Sequence, residues 1–194
     1  MHLVDLKDSF ILRCFEGQDW DKLLGEFLKI CEPLIREFYA NASLKGEHIQ
    51  CWVRGPSFTL DTEDIDAMLG LEEHDHEGFT PFKDRMLSLE SMQLRISGHR
   101  EGRSLNMTYF PLDSRCLAYI MMFNLYLVKK LSTINNARAI FLMELRENTY
   151  IDISAHLYNI IAEFFGFLFN NMCQCYLVFV SLFPLLLTFN FCWL

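Results

Sequence analysis

The spacing of apolar residues constrains the fold of this chain more than any other feature of its sequence. From Trp20 to Phe38 apolar residues recur three and four positions apart, which predicts one face of a helix over residues 19–41. Pro33 lies inside this helix, so we expect a kink or a break into two helices there. The same spacing predicts later helices, which cover about residues 62–69, 81–96, 113–131, 135–146 and 152–164.

A short stretch after the first helix alternates with the period of a strand. Ile49, Cys51 and Val53 share one side of an extended chain, which predicts a strand. Residues 54–56 are Arg-Gly-Pro, which is a turn signal, and residues 57–60 can return as a second strand. The pattern therefore predicts one small β-hairpin.

Residues with capping preferences mark the helix that follows the hairpin. Asp61 or Thr62 is expected to cap its start, and Gly70 is expected to end it in the left-handed conformation. The predicted fold class is α+β, predominantly helical, with about five or six helices and one β-hairpin near residues 49–60. We divide the chain into an N-terminal lead, a main domain and an apolar tail, at residues 1–18, 19–165 and 166–194.

Composition and charge limit the classes of function. Hydrophobic residues make up 52% of the 194 residues, which is enough for a sizeable core. The net charge of -8 disfavours binding to phosphate backbones, because such binding relies on lysine and arginine. Nucleic acid is therefore not an expected partner. One basic patch, at Arg95, His99, Arg100 and Arg103, is interrupted by Glu101, and we interpret it as a solvated loop.

The seven cysteines indicate a reducing compartment. Their number is odd, and no Cys-x-x-Cys pair suggests a zinc or redox motif. The segment from Met1 to Cys14 includes Asp5, Lys7 and Asp8, so it does not resemble a signal peptide. We expect an intracellular protein of the nucleus or cytoplasm, in which most cysteines are small buried apolar groups.

Acidic residues and histidines cluster between residues 61 and 77, where His74 and His76 flank Asp75. A two-metal nuclease needs three converging carboxylates, and no long β-rich core is predicted to hold them here. Two histidines two residues apart do not form a metal site without further ligands. We interpret this stretch as a capped helix and a solvated loop. The sequence predicts no catalytic residue, no metal site and no cofactor, so we expect a non-enzymatic protein.

Three blocks of sequence resemble the signature of the plant transposon protein domain, a retrotransposon-derived plant family. Residues 34–41 (LIREFYAN) resemble its first block. Residues 53–55 (VRG) with 64–71 (DIDAMLGL) resemble its second, and 136–140 (NARAI) with 150–153 (YIDI) its third. The second block is also similar to the plant mobile domain. The residues that carry the resemblance are Glu37, Phe38, Tyr39, Asn41, Arg54, Gly55, Ile65, Leu69, Gly70, Leu71, Arg138, Ala139, Ile151 and Asp152.

The resemblance implies an origin in a transposable element rather than an activity, and it implies no catalytic residues. The chain departs from the family in two places, since it has Tyr119 or Phe123 where a Trp is usual and lacks a Pro before residue 136. The motif residues are expected to have scaffold roles. In these roles Phe38 and Tyr39 anchor the first helix to the core, and Gly55 permits the hairpin turn.

The C-terminal tail needs a separate explanation. Residues 176–194 are 19 residues without a charge, which is long enough for a membrane span of roughly 20 residues. Pro184 lies in the middle of this stretch, and basic flanking residues are absent. The tail is therefore a truncated domain remnant, a gene-model artefact or a membrane span.

These features favour a non-enzymatic interaction or structural domain. It would present helical surfaces to an unknown protein partner or to copies of itself. One alternative is a small single-pass tail-anchored membrane protein that reaches the membrane through residues 176–194. Another is a degenerate transposable-element product with no activity.

Overall fold

The computed structural model describes residues 10–18, 20, 32–46, 48–72, 76, 78–100, 103–126 and 132–167. Its helices are α1 (Phe10–Glu16), α2 (Glu32–Asn41), α3 (Thr62–Leu69), α4 (Leu89–Ser97), α5 (Leu112–Asn124), α6 (Asn136–Arg146) and α7 (Ile153–Phe167). Its strands are β1 (Ser43–Lys45), β2 (His48–Trp52), β3 (Ser57–Leu60), β4 (Leu105–Asn106) and β5 (Thr133–Ile134), and a 3-10 helix covers Met107–Tyr109. This architecture confirms the predicted α+β class dominated by helices.

The chain forms two compact units. Unit 1 consists of Met1–Gly25 and Gly78–Ile151, and unit 2 consists of Glu26–Glu77 and Asp152–Leu194. The sequence divisions at residues 18 and 165 do not coincide with these unit boundaries.

Unit 1 packs its helices around aromatic residues. Helix α6 contacts α1, α4 and α5, and the antiparallel strands β4 and β5 pair beside α4. Phe141 of α6 is fully buried, with its ring 5.9 Å from Trp20 and 5.2 Å from Phe82 between ring centroids. Stacked and edge-to-face ring pairs at such distances stabilise the fold by more than the burial of their apolar area alone. This aromatic group forms the centre of unit 1.

Unit 2 combines a three-stranded antiparallel sheet with helices α2, α3 and α7. The strand order is β1-β2-β3, and β2 pairs with β3 so that Ile49 faces Leu60 and Cys51 faces Phe58. Ile49, Cys51 and Leu60 are buried. The alternation that predicted a hairpin therefore marks the inner face of the sheet, and the hairpin is confirmed.

Several element boundaries differ from the sequence prediction. Helix α4 begins at Leu89 rather than near Pro81, because residues 82–84 form a turn and the Ser88 side chain accepts a hydrogen bond from the Ser91 N–H. Helix α5 ends at Asn124 rather than at residue 131. Helix α1 was not predicted at all, although Ile11, Cys14 and Phe15 bury one of its faces.

Two predictions fall partly or wholly outside the described residues. The C-terminal half of the predicted helix 19–41 is confirmed as α2, in which Pro33 is the second described residue. The predicted kink or break concerns residues 21–31, which are not described, and the apolar tail from residue 168 onwards is not described either. Within the described part of the chain, no helix has both the length and the apolar character to span a bilayer.

Candidate functional site

Unit 2 brings together three ionisable side chains from separate stretches of the chain. The ring of His76 lies between two carboxylates, with Nδ1 2.8 Å from Asp152 Oδ2 and Nε2 2.9 Å from Asp66 Oδ2. Ser154 donates a short hydrogen bond from its hydroxyl to Asp66 Oδ1. We call these four residues the His76 cluster.

Helix α3 positions Asp66 through well-defined ends. Asp61 and Asp64 form a capping box at its start, in which each side chain accepts the backbone N–H of the other residue. Gly70 ends the helix in the left-handed conformation with φ 69°, as predicted. The face that carries Ile65 and Leu69 is buried, and Asp66 is on its edge with only 3% of its surface exposed.

Helix α7 positions the other two partners. Asp152 precedes the helix and caps it, because its Oδ1 accepts the Ala155 N–H at 2.8 Å and its carbonyl accepts the His156 N–H at 3.1 Å. The other carboxylate oxygen of Asp152, Oδ2, contacts Nδ1 of His76. Ser154 lies in the first turn of α7 and is fully buried.

The protonation of His76 follows from its two partners. Ionised carboxylates only accept hydrogen bonds, so both contacts are satisfied when both ring nitrogens carry protons. Burial, the largest single influence, lowers the pKa of His76, but the hydrogen bonds and charges of Asp152 and Asp66 together outweigh it. The net effect raises the pKa of His76 above its ordinary value of 6.5.

These contacts form an ion-pair network. Ser154 donates to Asp66 rather than to His76, and both nitrogens of His76 face carboxylates, so the arrangement differs from a triad in which a histidine accepts the proton of a serine nucleophile. No group of three His, Cys, Asp or Glu side chains among the described residues has a geometry that could hold a metal ion. His74 and Asp75, which were considered with His76 as metal ligands, lie outside the described residues.

Three residues of the first two sequence blocks, Glu37, Arg54 and Gly55, meet at the hairpin turn of unit 2. Arg54 and Gly55 form the turn with φ values of 52° and 112°. Glu37 of α2 accepts the Arg54 N–H at 2.7 Å with one carboxylate oxygen, and its other oxygen lies 3.9 Å from Arg54 Nε. Positive φ is unfavourable for arginine, so this contact helps to hold the turn in place. Val53 N–H donates to the Pro56 carbonyl at 3.2 Å and closes the hairpin.

The aromatic motif residues of α2 are packing residues. Phe38 is fully buried, and its ring lies 6.2 Å from Phe58 of β3 and 6.1 Å from Phe165 of α7. Tyr39 is half-buried, with its ring 5.9 Å from that of Phe165. Both rings therefore join α2 to the rest of unit 2, while Asn41 at the end of α2 is exposed.

The remaining motif residues also occupy structural positions. In unit 2, Leu71 is half-buried, and its N–H donates to the Asp66 carbonyl after the end of α3. In unit 1, Ala139 is fully buried, and the guanidinium of Arg138 lies 4.9 Å from the centre of the Tyr126 ring. The buried Ile151 donates its N–H to the Gln18 side chain at 3.0 Å.

Acidic partners neutralise part of the basic patch of unit 1. Arg95 forms a bidentate ion pair with Glu147, and Arg100 contacts Glu90. The Arg146 guanidinium donates to the carbonyls of Arg95 and Ile96.

The His76 cluster was not predicted from the sequence. Asp66 was assigned to a capped helix and His76 to a solvated loop, but Asp66 is buried and only 15% of the His76 side chain is exposed. One signal was available for Asp66, because a carboxylate next to Ile65 and three residues before Leu69 is at the edge of an apolar face. Nothing in the sequence pairs residue 76 with residue 152.

Comparison with known proteins gives no relative. No model of a protein family matches the chain, and no curated protein and no solved structure matches it. The resemblance to the plant transposon protein domain therefore stays a prediction.

Proposed function

We propose that this chain is a non-enzymatic interaction domain that binds protein surfaces through helix α5 of unit 1. The observation that carries the proposal is an exposed apolar stripe on this helix. Leu112 and Tyr119 are seven residues apart, so they lie on the same side, with 69% and 37% of their surfaces exposed. Tyr109, just before the helix, is 50% exposed. We call Tyr109, Leu112 and Tyr119 the α5 stripe.

The composition of the α5 stripe suits a protein partner. Tyrosine is enriched at protein interfaces, because its ring is apolar and its hydroxyl can form hydrogen bonds at the solvent-accessible rim of the interface. Most other large apolar side chains of α5, such as Leu117 and Met121, are fully buried. The exposed face is thus a distinct feature of the helix. We propose a second copy of the chain as the first partner to test.

The non-enzymatic part of the proposal rests on the His76 cluster. A general base needs a free lone pair within reach of a substrate, and both nitrogens of His76 face carboxylates instead. The ion pairs of Arg95 and Arg100 support the exclusion of nucleic acid, because they reduce the charge available to phosphates. The free thiols of Cys14, Cys51 and Cys116 support an intracellular location.

The origin proposed with this function is a retrotransposon-derived plant protein. Its support is the order of the three sequence blocks. The contact of Glu37 with Arg54 gives a physical reason for the first two blocks to occur together, since one residue stabilises the turn that contains the other.

Analytical ultracentrifugation of the full chain over a wide concentration range tests the interaction function. We expect concentration-dependent self-association, and we expect Leu112→Glu to weaken it by about tenfold or more, because a charge in an apolar contact is strongly unfavourable. Met86→Glu is the matched control, since Met86 is 96% exposed in the same unit but is not part of the stripe. A chain that stays monomeric at all concentrations, or equal effects of the two substitutions, would contradict the role of the α5 stripe in self-association.

A tail anchor is the second candidate, and the uncharged residues 176–194 favour it. Resistance of the full chain to carbonate extraction from membranes would support this candidate. Release of the chain into the soluble fraction would contradict it.

A further inference from the structure

The His76 cluster lies where the chain leaves unit 2 and returns to it. The chain leaves after residue 77 and returns at residue 152, so the segment Gly78–Ile151 is an insertion in the sequence of unit 2. His76 and Asp152 are the described residues of unit 2 that flank this insertion. Their side chains are joined directly, with Nδ1 2.8 Å from Oδ2.

One buried carboxylate holds both ends of the insertion. Asp66 of α3 contacts His76, on the outgoing side, through one oxygen, and Ser154, on the returning side, through the other. The three contacts His76–Asp152, His76–Asp66 and Ser154–Asp66 therefore form a continuous series of side chains from Asp152 to Ser154. Holding two positions 76 residues apart in contact lowers the conformational entropy of the intervening chain. Contacts such as these offset that cost.

Protonation of His76 determines whether the imidazole can donate hydrogen bonds to both carboxylates. A doubly protonated imidazole donates to both carboxylates, whereas a neutral imidazole has one N–H and can donate to only one of them. Loss of the proton would also leave two partly buried carboxylates without the positive charge between them.

We propose that His76 is a pH-controlled clasp within unit 2, which joins the chain positions flanking the insertion through both carboxylates when its ring is protonated and through only one of them when the ring becomes neutral. The charged groups that act on the ring are Asp66 from α3 and Asp152 from the start of α7. Glu72 is the described acidic residue that precedes it on its own loop and is exposed.

The sign of the pH effect follows from the direction of the pKa shift. The folded-state pKa of His76 is raised above 6.5, so the clasp is at full strength below 6.5 and weakens as the pH rises through the raised value. The equilibrium constant for opening increases by about tenfold for each unit by which this pKa exceeds 6.5.

Hydrogen exchange of the full chain tests the clasp. Protection of the backbone N–H groups of residues 153–158 is measured at about pH 6 and about pH 8.5 and is corrected for the intrinsic pH dependence of exchange. At the higher pH we expect protection at the start of α7 to fall by about tenfold for each unit by which the folded-state pKa of His76 exceeds 6.5. Protection of the hairpin formed by β2 and β3 should stay unchanged. Equal corrected protection at the two pH values would overturn the proposal.

Two variants separate the clasp from a general effect of pH. His76→Gln is expected to remove the pH dependence and to show low protection at both pH values, because glutamine stays neutral. His48→Gln is the matched control in the same unit, since His48 Nδ1 lies 3.6 Å from Asp61 Oδ2 but the His48 side chain is 57% exposed. Loss of the pH dependence in His48→Gln, or its persistence in His76→Gln, would overturn the proposal. If His76→Gln does not fold, the wild-type result and the His48→Gln control decide it.

Discussion

Asp66→Asn should reduce the dependence of the stability of unit 2 on pH. In the wild type, Asp66 Oδ2 lies 2.9 Å from Nε2 of His76, and Asp66 Oδ1 accepts the Ser154 hydroxyl. An amide can still accept from Ser154, but its NH₂ group would then face Nε2 of His76. A neutral ring, with a bare Nε2 and a proton on Nδ1, fits that amide, whereas a protonated ring does not.

The magnitude of this effect follows from the contact that is lost. Near pH 6 the substitution removes a charge-assisted hydrogen bond between largely buried groups, which contributes about 1.5–3 kcal/mol. Near pH 8.5 the neutral ring accepts a hydrogen bond from the amide NH₂ group at Nε2, so we expect the loss to shrink below about 1 kcal/mol. The stability of the wild type should decline between these pH values, because a raised histidine pKa stabilises the fold only while the ring is protonated.

Urea unfolding followed by far-UV circular dichroism at the two pH values provides the measurement. Glu63→Gln is the matched control, because Glu63 has the same charge on the same helix but is exposed. It should cost about 0.3–1 kcal/mol at both pH values, through its interaction with the positive end of α3. A difference between wild type and Asp66→Asn that is the same at both pH values would refute the reasoning.

Three further predictions concern the packing and chemistry of unit 2. Phe38→Ala should lower the free energy of unfolding by about 3–5 kcal/mol because Phe38 is fully buried, whereas Trp52→Ala, at a site 48% exposed, should cost less than about 1 kcal/mol in the same urea titration. Gly55→Ala should cost about 1–2 kcal/mol although open space surrounds the site, since φ is 112° there, and an unchanged urea midpoint would contradict this. Cys51 should resist alkylation in the native protein at pH 8, because burial raises its pKa to about 12. The half-buried Cys116 should react, and peptide mass spectrometry that found Cys51 alkylated faster than Cys116 would contradict this prediction.

Local signals explain which parts of the fold could be predicted. The hairpin and α3 were found because each of their features depends on neighbouring residues, namely the alternation of Ile49 and Cys51, the cap at Asp61 and the left-handed Gly70. Helix α6 was located for the same reason, since Asn135 caps it by accepting the Arg138 N–H.

Elements without a local signal were missed. Strands β4 and β5 have two residues each, which is too short for any periodicity, and they pair only through tertiary contact. Helix α1 has seven residues, and its apolar positions are too few to establish a period. Helix α4 was extended to Pro81 because proline is tolerated in a first turn, whereas the stronger cap at Ser88 sets the true start.

The candidate site was hidden by sequence separation. Asp152 was singled out as a motif residue and His76 as a possible metal ligand, but their contact joins positions 76 residues apart. A long-range polar contact leaves no periodic pattern, so only the folded chain reveals it.

The protonation state of the His76 ring nitrogens tests the central claim, that the polar cluster of unit 2 serves structure rather than chemistry. Nitrogen-detected NMR of the full chain, labelled on histidine, measures both nitrogens near pH 6. Two protonated nitrogens, both protected from exchange with water, are the predicted result. A bare ring nitrogen that is open to water, and that shifts when a divalent cation is added, would contradict it.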